Sequence, residues 1–294
     1  MNRIFPRTLL VGLLAFGTTV SVSAQESNAS LTAKDVVLSS GQEGGGYWSA
    51  AKRLQSVASK RADLAVEVLP SAGSLENMEK ILDDASPVNL AFSQADAAQS
   101  FLDNHPGQIE KLDLLESIGQ ECVFIVTSSD SEIRNEKDLR AATDLRLGIS
   151  SATSGVAVTF DYMKSEIPDM GDISVVYGDT LQAMKDINAP DATVDAVMMV
   201  HRPRAHSPEV EYALANSDQY RFVELNDEMF LQSMWNGSKI YRTMNLAMPE
   251  PSEPVKTLCM RGVLLANKQK LTIEQRNKLS DLMLYHWMEI YPTQ

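Results

Sequence analysis

Histidine and cysteine are scarce in this chain, which limits the metal chemistry open to it. The 294 residues include four histidines and two cysteines. Two cysteines cannot form a structural zinc site alone. His201 and His206 are spaced like a metal-binding pair, but no third ligand is evident beside them. We therefore expect no metal site and no cofactor.

Basic residues are also in the minority. The chain has 26 Lys and Arg against 39 Asp and Glu, a formal net charge of −13. Domains that bind nucleic acid usually present a basic face. The composition therefore argues against a nucleic-acid partner. It does not exclude small anions, because these bind to local hydrogen-bond donors rather than to net charge.

Long apolar runs are missing too, since none reaches the roughly 20 residues of a membrane-spanning helix. Residues 1–24 begin with Arg3 and Arg7, continue through the apolar run 9–16 and end on small residues. This pattern is typical of a secretory signal peptide, with a retained anchor as the alternative. We expect cleavage, a periplasmic location and no stable membrane insertion. Cleavage would leave 24 basic against 39 acidic residues, a net charge of −15.

Catalytic motifs are absent as well. Gly44-x-Gly46 lacks the third glycine of a dinucleotide fingerprint, since Ser49 occupies that place. There is no Walker loop, Gly-x-Ser-x-Gly elbow or zinc-protease motif. A serine hydrolase centred on Ser154 would need a histidine and an acid that the sequence does not single out. We expect no catalytic residues and no enzyme activity.

What the sequence does contain is a regular alternation of strand-like and helix-like segments from about residue 35. This alternation predicts an α/β fold, in which sheets are flanked by helices. The apolar runs that predict strands are 36–38, 64–68, 88–92, 122–127, 146–149, 173–176, 194–200 and 263–266. A closing helix is predicted from Ile273 to Trp287. About 270 mature residues suffice for two lobes of ordinary domain size.

Three loops of small residues follow predicted strands and precede predicted helices, at 44–49, 71–77 and 150–155. In α/β sheets, ligands bind at the carboxyl ends of the strands. The start of a helix offers backbone N–H groups without an intrahelical partner and the positive end of the helix dipole. Such a place holds a carboxylate or a phosphate without any lysine. For a single loop, ordinary helix capping is the alternative.

Segments spread in order over nearly the whole mature chain resemble the TAXI solute receptors, the extracytoplasmic binding subunits of one class of TRAP transporters. The similar segments are Ser39 to Trp48, Ser71 to Asn77, Ala91 to Asp96, Leu147 to Gly155, Val194 to Ala196 and Val263 to Asn267. Each motif is loose alone, and their order carries the resemblance. Trp48-Ser49 and the stretch from His201 to Arg204 depart from the family pattern near the expected cleft.

The resemblance implies a two-lobed periplasmic binding protein of type II-like fold, in which each lobe is a sheet flanked by helices and the ligand binds between them. Lobe 1 would comprise residues 25–120 and 264–294, and lobe 2 residues 121–263. The implied ligand is a small carboxylate, either a glutamate-like amino acid or a dicarboxylate. The implied partner is a TRAP permease, and we expect a monomer. There are two alternatives: the protein presents its ligand to a sensor kinase, or it is the binding protein of an ATP-driven importer.

Ten residues are predicted to bind the ligand. They are Gly45, Gly46, Tyr47, Ser74, Asn77 and Gln94 in lobe 1, and Ser151, Thr153, Ser154 and Gly155 in lobe 2. The alternatives are helix packing for Tyr47, loop tethering for Asn77 or Gln94, and helix capping for the second-lobe group.

The basic residues Arg202 and Arg204 could pair with a second ligand carboxylate. We favour a solvated loop or an ion pair with nearby acids and leave both out of the predicted site.

The cysteines, Cys122 and Cys259, lie far apart in the sequence, each in an apolar, strand-like run. An exported compartment permits a disulfide. If the two strands pair, the bridge would tie together the two crossings between the lobes. Buried free thiols are the alternative.

Overall fold

The structure is a computed structural model that describes residues 36–203, 207–226, 232–248 and 254–292. These described residues all belong to one compact unit. The predicted signal peptide, Arg204 and His206 lie outside the described residues, and the predictions about them stay predictions.

The described residues contain ten strands and eight α-helices, in an order that alternates through most of the chain. The strands are β1 (Val36–Ser39), β2 (Val66–Leu69), β3 (Leu90–Gln94), β4 (Leu112–Ser128), β5 (Arg146–Ile149), β6 (Ser174–Tyr177), β7 (Ala196–His201), β8 (Tyr220–Phe222), β9 (Tyr241–Leu246) and β10 (Val255–Asn267). The helices are α1 (Gly46–Arg61), α2 (Ser74–Leu82), α3 (Ala95–Asn104), α4 (Glu136–Ala141), α5 (Gly155–Glu166), α6 (Thr180–Asp186), α7 (Pro208–Ala215) and α8 (Ile273–Ile290). Two 3₁₀ helices cover Pro106–Lys111 and Pro168–Asp172.

The ten strands form one sheet whose main path runs β2-β1-β3-β10-β4-β7-β5-β6, with β8 beside β4 and β9 beside β10. Its two ends have the same design. β2, β1 and β3 are parallel and are followed by the antiparallel β10, while β6, β5 and β7 are parallel and are followed by the antiparallel β4. The second half of the chain thus repeats the arrangement of the first.

The two long strands β4 and β10 connect these halves. The first part of β4 pairs with β10, and its second part pairs with β7. β10 pairs with β9 first and with β3 afterwards. The predicted boundaries at residues 120/121 and 263/264 fall inside these strands. Cys122 lies directly opposite Cys259 where they cross, and the two form a disulfide.

One strand is longer than the sequence predicts, and two others were not predicted. Of β4, only residues 122–127 were predicted; the preceding stretch has no continuous apolar run, and most of its residues are half-buried. That part pairs with β10 across two register irregularities, which no local pattern reveals. β8 and β9 were not predicted either, because each pairs with only one long strand at the side of the main path.

Packing joins the two halves as well as filling each one. One apolar cluster lies in the first half around Leu54, Phe92 and Leu279. Another lies in the second half around Phe124 and Val197. A third runs through both halves, from Met78 and Ala98 to Phe160 and Met198. The described helices include none that is both long and apolar enough to cross a membrane.

Candidate functional site

Loops from the two predicted lobes meet at the carboxyl ends of the parallel strands. Gln94, the last residue of β3, lies against Gly155, the first residue of α5; a β-carbon placed on Gly155 would be 2.2 Å from Gln94 Oε1. Gly73, just before α2, has a positive φ of 141° and faces the carbonyl oxygen of Thr153. These contacts bring together two of the three predicted loops, one from each predicted lobe.

The first predicted loop ends at the N-terminus of α1. Gly45 is its N-cap, and Gly46 is the first helical residue; both are exposed. No side chain caps this 16-residue helix. The first N–H groups of the helix have no intrahelical acceptor, and they lie at the positive end of the helix dipole. Arg202 lies across from them, since a β-carbon on Gly46 would be 3.4 Å from Arg202 Nη2.

Tyr47 connects α1 to the crossing strand β4. Its hydroxyl donates to Oε2 of Glu121 at 3.3 Å, and its ring packs against Phe92 at 5.6 Å between centroids. Burial, and then the nearby Asp96 carboxyl, raise the pKa of Glu121 to about 7, while hydrogen bonding and Arg202 oppose that rise. Burial also raises the pKa of Tyr47, so its hydroxyl remains a neutral donor.

Gln94 is buried, and its backbone N–H donates to Ser74 Oγ at 3.0 Å. Its Nε2 lies 3.8 Å from the sulfur of Met260. Its Oε1 is buried and has no hydrogen-bond partner in the described part of the protein. A buried acceptor without a partner is costly, and in these loops both Gln94 Oε1 and Ser71 Oγ are in that position. Ser74 is itself buried, and this hydrogen bond holds the backbone of Gln94 in place.

Asn77 lies beneath these loops rather than at their surface. It is fully buried, and its Oδ1 accepts from Ser39 Oγ at 2.5 Å. Its Nδ2 donates to the carbonyl oxygens of Ser40 and Phe92, each at 2.7 Å. The side chain therefore ties the ends of β1 and β3 together, which is the loop-tethering alternative that the sequence left open.

The second-lobe loop opens α5. Ser154 is the N-cap and accepts from the Ala157 N–H at 3.2 Å, while its hydroxyl donates to the Ser151 carbonyl at 2.7 Å. Ser151 and Thr153 are exposed. Helix capping thus describes what Ser154 does in this arrangement. Gly155, the first helical residue, lies against Gln94.

The structure adds residues that the sequence prediction missed. Asp96, at the start of α3, is fully buried and accepts from Thr159 Oγ1 at 2.7 Å and from Tyr241 Oη at 2.8 Å. Burial raises the pKa of Asp96 despite these bonds. Thr159 lies on α5 and Tyr241 on β9, so this network joins the two predicted lobes. The only sequence signal was the Gln-Ala-Asp segment at the end of β3.

Arg202 was considered from the sequence and left out of the predicted site, and the structure places it at the cleft. Its Nε donates to Tyr291 Oη at 2.9 Å, and its guanidinium lies 4.0 Å from the Tyr291 ring centroid. Among the described residues no acid lies within ion-pair distance of it. The expected ion pair with nearby acids is therefore not formed within the part of the chain that the structure describes.

Taken together, the site offers donors from helix starts, one guanidinium, several neutral amides and hydroxyls, and the carboxyl groups of Glu121 and Asp96, whose pKa values are raised by burial. Such a set suits binding of a small polar anion. Within the described ranges, no group of three or more His, Cys, Asp or Glu side chains is placed to hold a metal ion.

No protein-family model matches this chain, and no curated protein matches it. Solved structures do share its architecture. XAC2383 from Xanthomonas citri bound to ATP aligns with a TM-score of 0.53 at 12% identity, over 87% of this chain and 88% of that one. The periplasmic aliphatic sulphonate binding protein SsuA from Escherichia coli aligns with a TM-score of 0.50 at 13% identity, over 87% of this chain and 72% of that one. At these identities the likeness concerns the fold alone.

The predicted fold class is confirmed by this likeness together with the sheet. The chain is an α/β protein with the architecture of the periplasmic binding proteins, in which two similar sheet halves are joined by crossing strands. The site described above lies at the strand ends where the halves meet, the place at which α/β sheets bind ligands.

Proposed function

We propose that this chain is an extracytoplasmic solute-binding protein, exported to the periplasm, that captures a small carboxylate by closing two lobes around it. The ligand class is a glutamate-like amino acid or a dicarboxylate. The protein then delivers its ligand to the membrane permease of a TRAP-type transporter. It binds and releases the ligand unchanged.

The observation that carries this proposal is the contact between loops of different predicted lobes, Gly73 with Thr153 and Gln94 with Gly155. The N-terminus of α5 lies against Gln94, and that of α1 lies beside Tyr47 and Arg202. Tyr47, at the start of α1, donates to Glu121, and Met260, the register partner of Glu121, lies beside Gln94; these contacts support a single site that includes both helix starts. Because each helix start favours an anion, a carboxylate held between them would stabilise the closed state over the open one.

We assign the predicted residues three roles in ligand binding: direct contact, closure over the ligand, and support of the contacting residues. Gly45, Gly46, Tyr47, Gln94 and Gly155 would contact the ligand directly. The loop residues Ser151, Thr153 and Ser154 would close over it. Ser74 and Asn77 would hold Gln94 and the strand ends in position through their buried hydrogen bonds.

A thermal-shift screen of the purified mature protein with amino acids and dicarboxylates tests the ligand class. We expect at least one carboxylate to raise the melting temperature, since a ligand that binds only the folded state stabilises it. No stabilisation by any of them would reject the carboxylate proposal. Recovery of the chemically unchanged ligand after incubation separates binding from catalysis.

A variant of the site then tests the residue assignment. Gln94→Ala combined with Ser154→Ala removes the buried amide and the α5 cap. Affinity measured by titration calorimetry should fall by about tenfold or more. Ser207→Ala is the matched control, because Ser207 caps α7 in the same way and belongs to none of the predicted ligand loops. Unchanged affinity in the double variant would reject the assignment.

Delivery to a TRAP permease rests on the sequence resemblance. Genes for a TRAP permease beside this one would support it, while a sensor kinase or a transport ATPase there would favour the alternatives. Uptake of the radiolabelled ligand, compared between cells with and without this gene, tests the delivery itself.

A further inference from the structure

We propose that Arg202 is the residue that selects an anionic ligand: its guanidinium, held in place by Tyr291, faces the N-terminus of α1 and closes on the ligand's acid group. This inference rests on the proposed solute-binding function and assigns the charge recognition of that site. It replaces recognition by neutral groups alone with a cationic contact supplied by lobe 2.

The first support is the way in which Arg202 is held. Its Nε donates to Tyr291 Oη at 2.9 Å, and the guanidinium stacks on the same ring at 4.0 Å. Stacking and one hydrogen bond orient the planar group while the Nη atoms stay available for other contacts. Tyr291 is itself buried, so it is a firm support. Long side chains held this way lose less entropy when they bind a ligand.

The second support is what the guanidinium faces. Nη2 lies 3.4 Å from the position of a β-carbon on Gly46, at the start of a 16-residue helix without a side-chain cap. A guanidinium and the positive end of a helix dipole repel each other. Because the two lie in contact, a negative group that binds the Nη atoms would also lie close to the first N–H groups of α1 and offset this repulsion.

The third support is the balance of charge around Arg202. Arg53, on α1, is a second cation nearby: burial, and then Arg202, lower its pKa. Arg53 is committed elsewhere, because its Nε donates to the Ile290 carbonyl at 2.8 Å. The acid that Arg202 influences is Glu121, whose pKa of about 7 leaves it only partly ionised at neutral pH. No acid among the described residues is within 4.0 Å of Arg202, so its charge lacks a direct counter-ion there.

The test compares Arg202→Gln with Arg242→Gln, an equal charge change at an exposed residue of β9. The probes are succinate, glutarate and L-glutamate, with succinamide as the uncharged analogue of succinate. We expect Arg202→Gln to weaken the best-binding carboxylate by about 10- to 100-fold, equivalent to about 1.4 to 2.8 kcal/mol. Arg242→Gln should change its affinity by less than about twofold. Succinamide should bind weakly to wild type and both variants alike.

Two further variants keep the test valid if Arg202→Gln loses its fold. Arg202→Lys keeps the charge but not the planar stack, and should weaken the carboxylate less than Arg202→Gln does. Tyr291→Phe removes only the hydrogen bond to Nε and should weaken it by a few-fold. Carboxylate affinity that is unchanged in both of these variants, or in a folded Arg202→Gln, would overturn the inference.

The result also separates this inference from the proposed function. Tight carboxylate binding that survives Arg202→Gln would overturn the role of Arg202 and leave the solute-binding proposal standing. If wild-type protein binds none of the carboxylate probes, the proposed ligand class fails, and the role of Arg202 fails with it.

Discussion

Cys122 and Cys259 lie directly opposite each other in the two strands that connect the halves of the sheet, with their Cα atoms 3.9 Å apart, and they form a disulfide. The next residues along the two strands, Met260 on β10 and Glu121 on β4, are paired in the same register and lie at the candidate site. The covalent link therefore lies one residue away from groups that contact Gln94 and Tyr47. Stability and site geometry are coupled at this crossing.

Removing the disulfide should lower stability without abolishing the fold. The bridge closes a loop of 137 residues, and closing a long loop restricts the unfolded chain. We expect Cys122→Ala with Cys259→Ala to lose about 2 to 4 kcal/mol in the free energy of unfolding, measured by urea denaturation. Adding a reductant to the unfolded wild type before refolding should give the same loss. Equal midpoints for oxidised wild type and the double variant would contradict the prediction.

Gly155→Ala should block closure of the lobes. A β-carbon there would lie 2.2 Å from Gln94 Oε1, so Gln94 would have to move or the loops would have to separate. Such overpacking costs about 1 to 3 kcal/mol, which corresponds to a loss of ligand affinity of about 5- to 150-fold if the clash occurs only in the closed state.

Two comparisons sharpen that measurement. Gly171→Ala is the control, because nothing lies within 4 Å of a β-carbon at Gly171. Gly155→Ala should cost less affinity in a Gln94→Ala background than in wild type, because the clashing atom is absent there. An equal loss from Gly155→Ala with and without Gln94 would show that the two residues do not meet.

Glu121 should make stability depend on pH. Its pKa is raised from 4.5 to about 7 in the folded protein, chiefly by burial. The folded state therefore holds a proton that the unfolded state releases. This contribution to the free energy of unfolding is fully present below pH 4.5 and is lost as the pH rises through about 7.

The size of this loss is about 2 kcal/mol, allowing for partial solvent access to the carboxyl. It is measured by urea denaturation at a series of pH values between 4.5 and 8. Glu121→Gln should flatten the profile over this range. Glu116→Gln, on the same strand but bonded to its own neighbour Ser117, should leave the profile as in wild type. A profile that keeps its slope in Glu121→Gln would assign the effect to other groups.

Asn77→Ala should lower the free energy of unfolding, because Asn77 supports the strand ends and does not itself contact the ligand. The substitution leaves the carbonyls of Ser40 and Phe92 and the hydroxyl of Ser39 without their buried partner. We expect a loss of about 2 to 4 kcal/mol in the free energy of unfolding. Asn104→Ala is the control, because Asn104 is exposed and donates only to the Ser100 carbonyl. A strong loss of affinity with no loss of stability would instead place Asn77 in contact with the ligand.

Much of the fold follows from local pattern. Every apolar run that predicted a strand overlaps one in the structure, and the closing helix appears as α8. Buried parallel strands appear in a sequence as continuous apolar runs, and amphipathic helices as apolar residues at helical spacing. Both patterns are local, so the sequence predicts these elements. α3, α4 and α7 were not predicted. Neither were β8, β9 and the first part of β4, whose side chains are largely half-buried and whose pairing partners are distant in the chain.

The candidate site divides in the same way. The sequence singled out the small-residue loops, and Gln94, Gly155 and Tyr47 indeed lie where loops of the two halves meet. Asn77 and Ser154 were chosen by residue type, and type alone does not distinguish a ligand contact from a tether or a cap. Glu121 lies on β4, Asp96 on α3, Arg202 just after β7 and Tyr291 just after α8. No spacing in the sequence shows that they converge.

The sequence by itself therefore determined the α/β alternation, the strand-end loops and a disulfide-capable pair, because each is encoded by short-range pattern or residue type. Tertiary structure alone decided that the cysteines pair at the strand crossing, that Gln94 is buried without a partner against α5, and that Arg202 stacks on Tyr291 opposite α1. These relationships depend on how residues far apart in the chain pack together, and burial and charge proximity exist only once they have done so.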